Sequence, residues 1–237
     1  MTTFILIHGA GDTGWAWHLV ACGLRARGHE VVAPDLPADD EAADLTTYAD
    51  AVVAAVDGRR NAVVVGHSFG AFTAPLVADR LAADVLVLVA GMIPTPGERP
   101  ADWWANVGHQ HAVQEQAARD GGLTGHDDPY VSFYHDVPGP LAEEALRRER
   151  AHPSEAATAM PWPLSGWPDV PTKFILCTQD RCFPPALFRQ LVPQRLGIVP
   201  DEIEAGHCAA LSRPVELASL LLGYAARPTA SSSGTPL

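Results

Sequence analysis

One short segment limits what this chain can fold into more than any other. It is Gly66-His67-Ser68-Phe69-Gly70, set between the apolar run Ala62-Val63-Val64-Val65 and a stretch from Ala71 to Arg80 that reads as a helix. The β-branched run predicts a buried strand. A serine on a tight strand-to-helix turn between two glycines is a G-x-S-x-G nucleophile elbow. The turn is so sharp that side chains two residues either side of the serine would collide. Gly66 and Gly70 have none, which leaves the Ser68 hydroxyl exposed above the sheet edge. The helix that begins at Phe69 also turns unpaired N–H groups toward that place.

The 237 residues suit one α/β domain with a central sheet covered on both faces. A formal net charge of −12 argues against a nucleic-acid or anionic-membrane surface. The opening residues Met1 to His8 lack the basic region and the apolar length of a signal peptide. No segment approaches the ~20 apolar residues that span a bilayer. A cytoplasmic protein is the expectation. Cys22, Cys177, Cys182 and Cys208 match no zinc or disulfide spacing and fit reduced thiols. Cys182 and Cys208 flank candidate catalytic residues and are expected near one another.

Strand patterns alternate with helical ones, which predicts a doubly wound, mainly parallel sheet of six strands. The predicted strands are Phe4 to His8, Val31 to Ala33, Asn61 to Val65, Val85 to Ala90, Lys173 to Cys177 and a short piece near Glu202 to Glu204. Helices are expected at Trp15 to Arg27, at Thr47 to Val56 with Asp50 completing a capping pattern, and from Ser212 and Pro214 to about Tyr224. Pro75 should kink the helix after the elbow or mark its first turns. From 93 to 170 the alternation breaks into helical stretches, Ala101 to Arg119, Tyr130 to His135 and Leu141 to Arg150. So long a break needs its own structure. It is expected to be a helical cap inserted into a core formed by 1–92 and 171–226, over the sheet edge where open α/β sheets bind ligands. The tail 227–237 has the composition of a disordered segment.

A serine hydroxyl needs a base, and the base needs an orienting acid, in the chain order Ser, acid, His. His207 follows a short strand and precedes the last helix. Asp180 lies in the loop after the Cys177 strand. Ser68, Asp180 and His207 would meet at one sheet edge, with Glu98 as the runner-up acid. After the first strand, His8-Gly9-Ala10-Gly11 sits where a second oxyanion donor belongs. The Ala10 N–H would pair with that of Phe69, with Gly9 allowing close approach. His109 and His111, two apart on a helix, face different ways and cannot share an ion, so no metal and no cofactor are expected. The 93–170 stretch is rich in rings, which either form its own small core or line a ligand pocket. Gly9, Trp103, Trp104, Phe133 and Trp162 are the candidates for substrate contact.

The chain resembles the α/β-hydrolase superfamily, and within it the branch of plant methyl esterases and hydroxynitrile lyases with their bacterial relatives. The resemblance spans residue 4 to about 225 and rests on Phe4-Ile5-Leu6-Ile7-His8-Gly9-Ala10, Gly14-Trp15-Ala16-Trp17, Gly28-His29 and Pro34-Asp35-Leu36. The elbow, Cys177-Thr178-Gln179-Asp180 and His207 with Leu211-Ser212-Arg213-Pro214 carry it further. Tyr134-His135-Asp136-Val137-Pro138 is similar to a cap segment of the bacterial members. The resemblance implies the same Ser-His-Asp arrangement and oxyanion pair. Lyases of the branch carry threonine where this chain has Gly9 and lysine where Cys208 follows His207, so esterase chemistry is favoured over cyanohydrin cleavage. The expected function is cleavage of a small carboxylic ester through an acyl-enzyme. A non-hydrolytic lyase or cyclase and a hydrolase-derived receptor are the alternatives. The expected partner is a small-molecule ester, with no nucleic acid or membrane, and a homodimer is compatible with the sequence.

Overall fold

Strands buried on both faces read as continuous apolar runs, and the central strands do so here. In β1 (Thr3–Ile7) and β4 (Val85–Val89) every residue is buried. The computed structural model describes residues 1–150 and 153–226, so the expected disordered tail, 227–237, lies outside the described residues. Six parallel strands form one sheet in the order β2-β1-β3-β4-β5-β6, with β2 at Glu30–Val32, β3 at Ala62–His67, β5 at Thr172–Cys177 and β6 at Asp201–Ile203. Each large apolar side chain removed from water contributes about 1.5–3 kcal/mol, which makes the sheet centre the firmest part of the molecule.

Right-handed crossovers decide which face each helix covers. The chain steps one way from β1 to β2 and the other way from β2 to β3. Therefore α1 (His18–Arg25) lies on one face, and α2 (Leu45–Val56) and α3 (Gly70–Leu81) lie on the other. The last helix, α11 (Pro214–Ala225), packs against α1, and α2 packs against α3. The strand order reverses between β1 and β3, and the crevice above their carboxyl ends is where such sheets hold ligands.

Between β4 and β5 come α4 (Pro100–Asn106), α5 (His109–Asp120), α6 (Pro129–Ser132), α7 (Gly139–Arg148) and α8 (Glu155–Ala159). The single helix expected from Ala101 to Arg119 is two, because Gly108 adopts φ +68° and breaks the turn. The cap of α2 is Asp44, whose carboxylate accepts the Thr47 N–H at 2.8 Å, rather than a pattern completed by Asp50. Asp50 instead pairs with Arg80 on α3. The first expected helix opens as a tight 3₁₀ turn, Gly14–Trp17, before α1. Helix α3 runs through Pro75, and α9 (Pro185–Leu196) and the short α10 (Ala209–Ser212) complete the set.

Candidate active site

The carboxyl ends of β3, β5 and β6 each carry one polar residue into a single hydrogen-bonded chain. Ser68 follows β3 with φ +50°, a left-handed conformation that costs a non-glycine residue energy. Its surroundings impose that shape. A Cβ on Gly70 would overlap the His8 carbonyl oxygen, and one on Gly66 would lie 2.7 Å from the Ala74 Cβ. The elbow glycines are thus required by the neighbouring loop and helix as well as by the turn itself. The Ser68 N–H donates to Val89 and its carbonyl accepts from Met92, which locks the turn to the end of β4.

Ser68 Oγ lies 3.0 Å from His207 Nε2, and His207 Nδ1 lies 2.8 Å from Asp180 Oδ2. The other carboxylate oxygen, Oδ1, accepts the Cys182 and Phe183 N–H groups at 2.8 Å each, so the loop after β5 wraps around its own acid. Asp180 and His207 are both 3% exposed. Phe133 and Phe183 meet the His207 ring edge-on, with centroids 5.4 and 5.0 Å away, and restrict its tilt. Glu98, the runner-up acid, is committed elsewhere. It pairs with Arg195 at 2.6 Å and accepts from Asn106 and Thr95.

Two further histidines brace this chain. His8 Nδ1–H donates to the Gly9 carbonyl at 2.9 Å while Nε2 accepts the Leu36 N–H at 3.0 Å, which fixes the loop after β1. His67, beside the serine, donates Nε2–H to the His207 carbonyl at 2.9 Å. Burial, reinforced by the nearby His207, holds the His67 pKa down to about 3, so its ring stays neutral. Its Nδ1 would be 3.1 Å from a Cβ on Gly9, and a Gly9 Cβ would also lie 2.9 Å from that of Ser68. Only a glycine lets this loop lie against the elbow. The backbone N–H groups of Ala10 and Phe69 have no acceptor among the described residues, and both residues line the cavity above Ser68.

That cavity is about 420 Å³. Gly9, Trp104 and Phe133, three of the candidates for substrate contact, line it. Trp103 and Trp162 do not, which corrects their expected substrate contact. They are 0% and 1% exposed, and their indole N–H groups donate to the Ile93 and Phe72 carbonyls, so both serve the core. Cys182 and Cys208 do line the same cavity, and all four cysteines are free thiols. Sequence reasoning missed Asp12, which lies in the loop already singled out, and Tyr134, Leu146 and Glu149, which local pattern alone does not mark. The segment after α6 closes the site from outside. His135 Nε2 donates to the Gln179 carbonyl, and Asp136 accepts the Gly206 N–H at 2.8 Å, so one stretch clamps the loops bearing Asp180 and His207. Among the described residues no group of three or more candidate metal ligands occurs, and no helix is long and apolar enough to cross a membrane.

The sequence profile of the "Alpha/beta hydrolase family" matches residues 4–220. The chain belongs to the α/β hydrolase family. Among its relatives, norfluorocurarine synthase 1 of a Strychnos species is 24% identical over 249 residues, covering 92% of this chain and 93% of that protein. Methylesterase 3 of Arabidopsis thaliana is 25% identical over 252 residues, covering 93% and 95%. The crystal structure of a pyrethroid hydrolase from Sphingobium faniae superposes with a TM-score of 0.76 at 25% identity, covering 96% of this chain and 98% of that one.

Proposed function

We propose that this α/β hydrolase cleaves a small carboxylic ester with Ser68 as nucleophile, His207 as base and Asp180 as the orienting acid. The observation that carries the reading is the Ser68–His207–Asp180 chain, 3.0 and 2.8 Å, opening on a cavity of about 420 Å³. His207 takes the Ser68 proton as Oγ attacks the ester carbonyl, and Asp180 holds the imidazole with its Nε2 free and steadies the imidazolium. The free N–H groups of Ala10 and Phe69 receive the oxyanion, at the start of α3. His207 then gives its proton to the leaving alcohol, and a water activated by the same ring releases the acid and restores Ser68. Residues 93–170 act as a cap that selects the ester. The four free thiols suit a reducing compartment, and a cytoplasmic location belongs to the same reading. Intact mass after fluorophosphonate treatment tests it. Wild type should gain one adduct, Ser68→Ala none, and ester turnover by Ser68→Ala should fall by about 10⁴-fold or more. An adduct of equal extent on both proteins would overturn the assignment.

A second reading is a non-hydrolytic use of the same residues, and the synthase named among the relatives favours it. Hydrolysis in ¹⁸O-water would label the acid product, whereas a lyase or cyclase would leave its product unlabelled.

A further inference from the structure

The cavity above Ser68 has an acidic lining with no lysine or arginine to balance it. Asp12, Asp127 and Glu149 face it, and no lysine or arginine is among the described residues that line it. Asp12 is half-buried, and His67 Nδ1 lies 3.9 Å from its carboxylate, on a ring that stays neutral. Glu149, at the mouth, extends from the end of α7 onto the loop after β1. Its carboxylate lies 3.1 Å from where a Cβ of Gly11 would be. The arginines beside it are already engaged: Arg148 pairs with Glu144 and lies over the Trp15 ring, and Arg150 pairs with Asp35 and Asp39. Burial pushes the Asp12 carboxyl up to about 7; the charge of His207 opposes the rise and that of Glu149 adds to it. A carboxyl in that state gains most from a positive charge brought to it. The same cavity presents the rings of Trp104, Phe133 and Tyr134. Aromatic faces and carboxylates together are the surroundings that attract an ammonium group with a greasy shell.

We propose that the ester this cavity selects carries an ammonium group, and that Asp12 is its specificity-determining residue. The inference rests on the ester-hydrolase reading of Ser68 and adds the substrate class. The ligand provides the positive charge that the protein itself omits, while its alkyl groups lie against the rings.

The test uses two pairs of esters alike in shape and different in charge: acetylcholine with 3,3-dimethylbutyl acetate, and betaine ethyl ester with ethyl 3,3-dimethylbutanoate. The measured quantity is the cationic-to-neutral ratio of kcat/KM at pH 8, for wild type, Asp12→Asn and Glu149→Gln. Comparing ratios between proteins cancels the intrinsic reactivity of each ester. The ratio for at least one pair should fall about tenfold in Asp12→Asn and less in Glu149→Gln. Ratios that stay level in Asp12→Asn overturn the proposal, including the case in which both members of a pair slow equally because Asp12 serves only His207. If wild type turns over none of the four, the ester reading fails separately, and calorimetric binding to Ser68→Ala decides. Acetylcholine bound at least tenfold more tightly than its neutral partner, with the preference lost on adding Asp12→Asn, supports a cation site. Equal binding, or none, overturns it.

Discussion

The two walls of the cavity above Ser68 are built differently. The wall from the sheet side consists of the loops after β1, β3, β5 and β6, and its acid, base and bracing histidines are each held by fixed partners. Asp180 accepts two backbone N–H groups besides the His207 ring, His67 is tied to the His207 carbonyl, and His8 bridges Gly9 and Leu36. Behind it α3 is buried from Gly70 to Ala78. The other wall comes from the α4–α8 segment. There α5 buries no residue, α7 buries only Ala142 and Ala145, and Trp104 is 41% exposed. Chemistry demands positions held to a fraction of an ångström, which the sheet side provides. Choice among substrates needs only shape and charge, which a lightly anchored wall can present and change without loosening the elbow.

The most severe test of that contrast comes from the sheet side. Asp180→Asn should lower kcat by about 10³–10⁴-fold with the fold intact, because an amide in this position no longer stabilises the imidazolium or enforces its tautomer. Steady-state kinetics beside a circular dichroism spectrum checks both halves. Next comes Trp162, one of the two tryptophans that serve the core. Trp162→Ala should cost about 3–5 kcal/mol in urea unfolding, since it empties a fully buried site and removes the indole bond to the Phe72 carbonyl. Gly70→Ala should cost about 3 kcal/mol, because its methyl would strike the His8 carbonyl oxygen. Trp104→Ala is the counterpart from the other wall. Its stability should change by less than about 1 kcal/mol, while kcat/KM shifts between esters with bulky and slim acyl groups. A large loss of stability in Trp104→Ala would dissolve the distinction between the walls.

The smallest effect is one of pH. Folded Asp12 keeps its proton to about pH 7, whereas in the unfolded chain it releases it near 3.8. Between those values the folded state holds the extra proton, so raising the pH through that window removes stability. The melting temperature of wild type should therefore fall relative to that of Asp12→Asn between about pH 4 and 7. Parallel pH profiles for the two proteins would show that Asp12 is not shielded as the geometry implies. His67, with its pKa depressed, acts in the opposite sense. Its contribution is present above about 6.5 and is lost as the pH falls toward 3.

Much of the rigid wall is legible in the sequence. The β-branched runs mark the central strands almost to the residue, and the elbow, the Asp180 loop and His207 each sit directly after a strand. The lightly anchored wall is far less legible. Its pattern suggests one long helix where Gly108 divides two, and it gives no sign of α8. On the core side α9 is equally silent, and Trp103 and Trp162 look like substrate contacts although both are core. Short helices interrupted by glycine and proline leave too few turns for periodicity to register.

The residues alone dictate everything enforced over short distances: the alternation of strand and helix, the sharp turn at Ser68, and the order in which serine, acid and histidine leave the sheet. Steric demands between near neighbours act at every occurrence of the pattern, so they can be read from it. Long-range packing settles which rings face the cavity, that His67 reaches a carbonyl 140 residues away, and that Asp12 shares the cavity with no lysine or arginine among the described residues. Those outcomes depend on how segments far apart in the chain are set against one another. Packing complementarity across the whole core fixes that arrangement, and no local pattern encodes it.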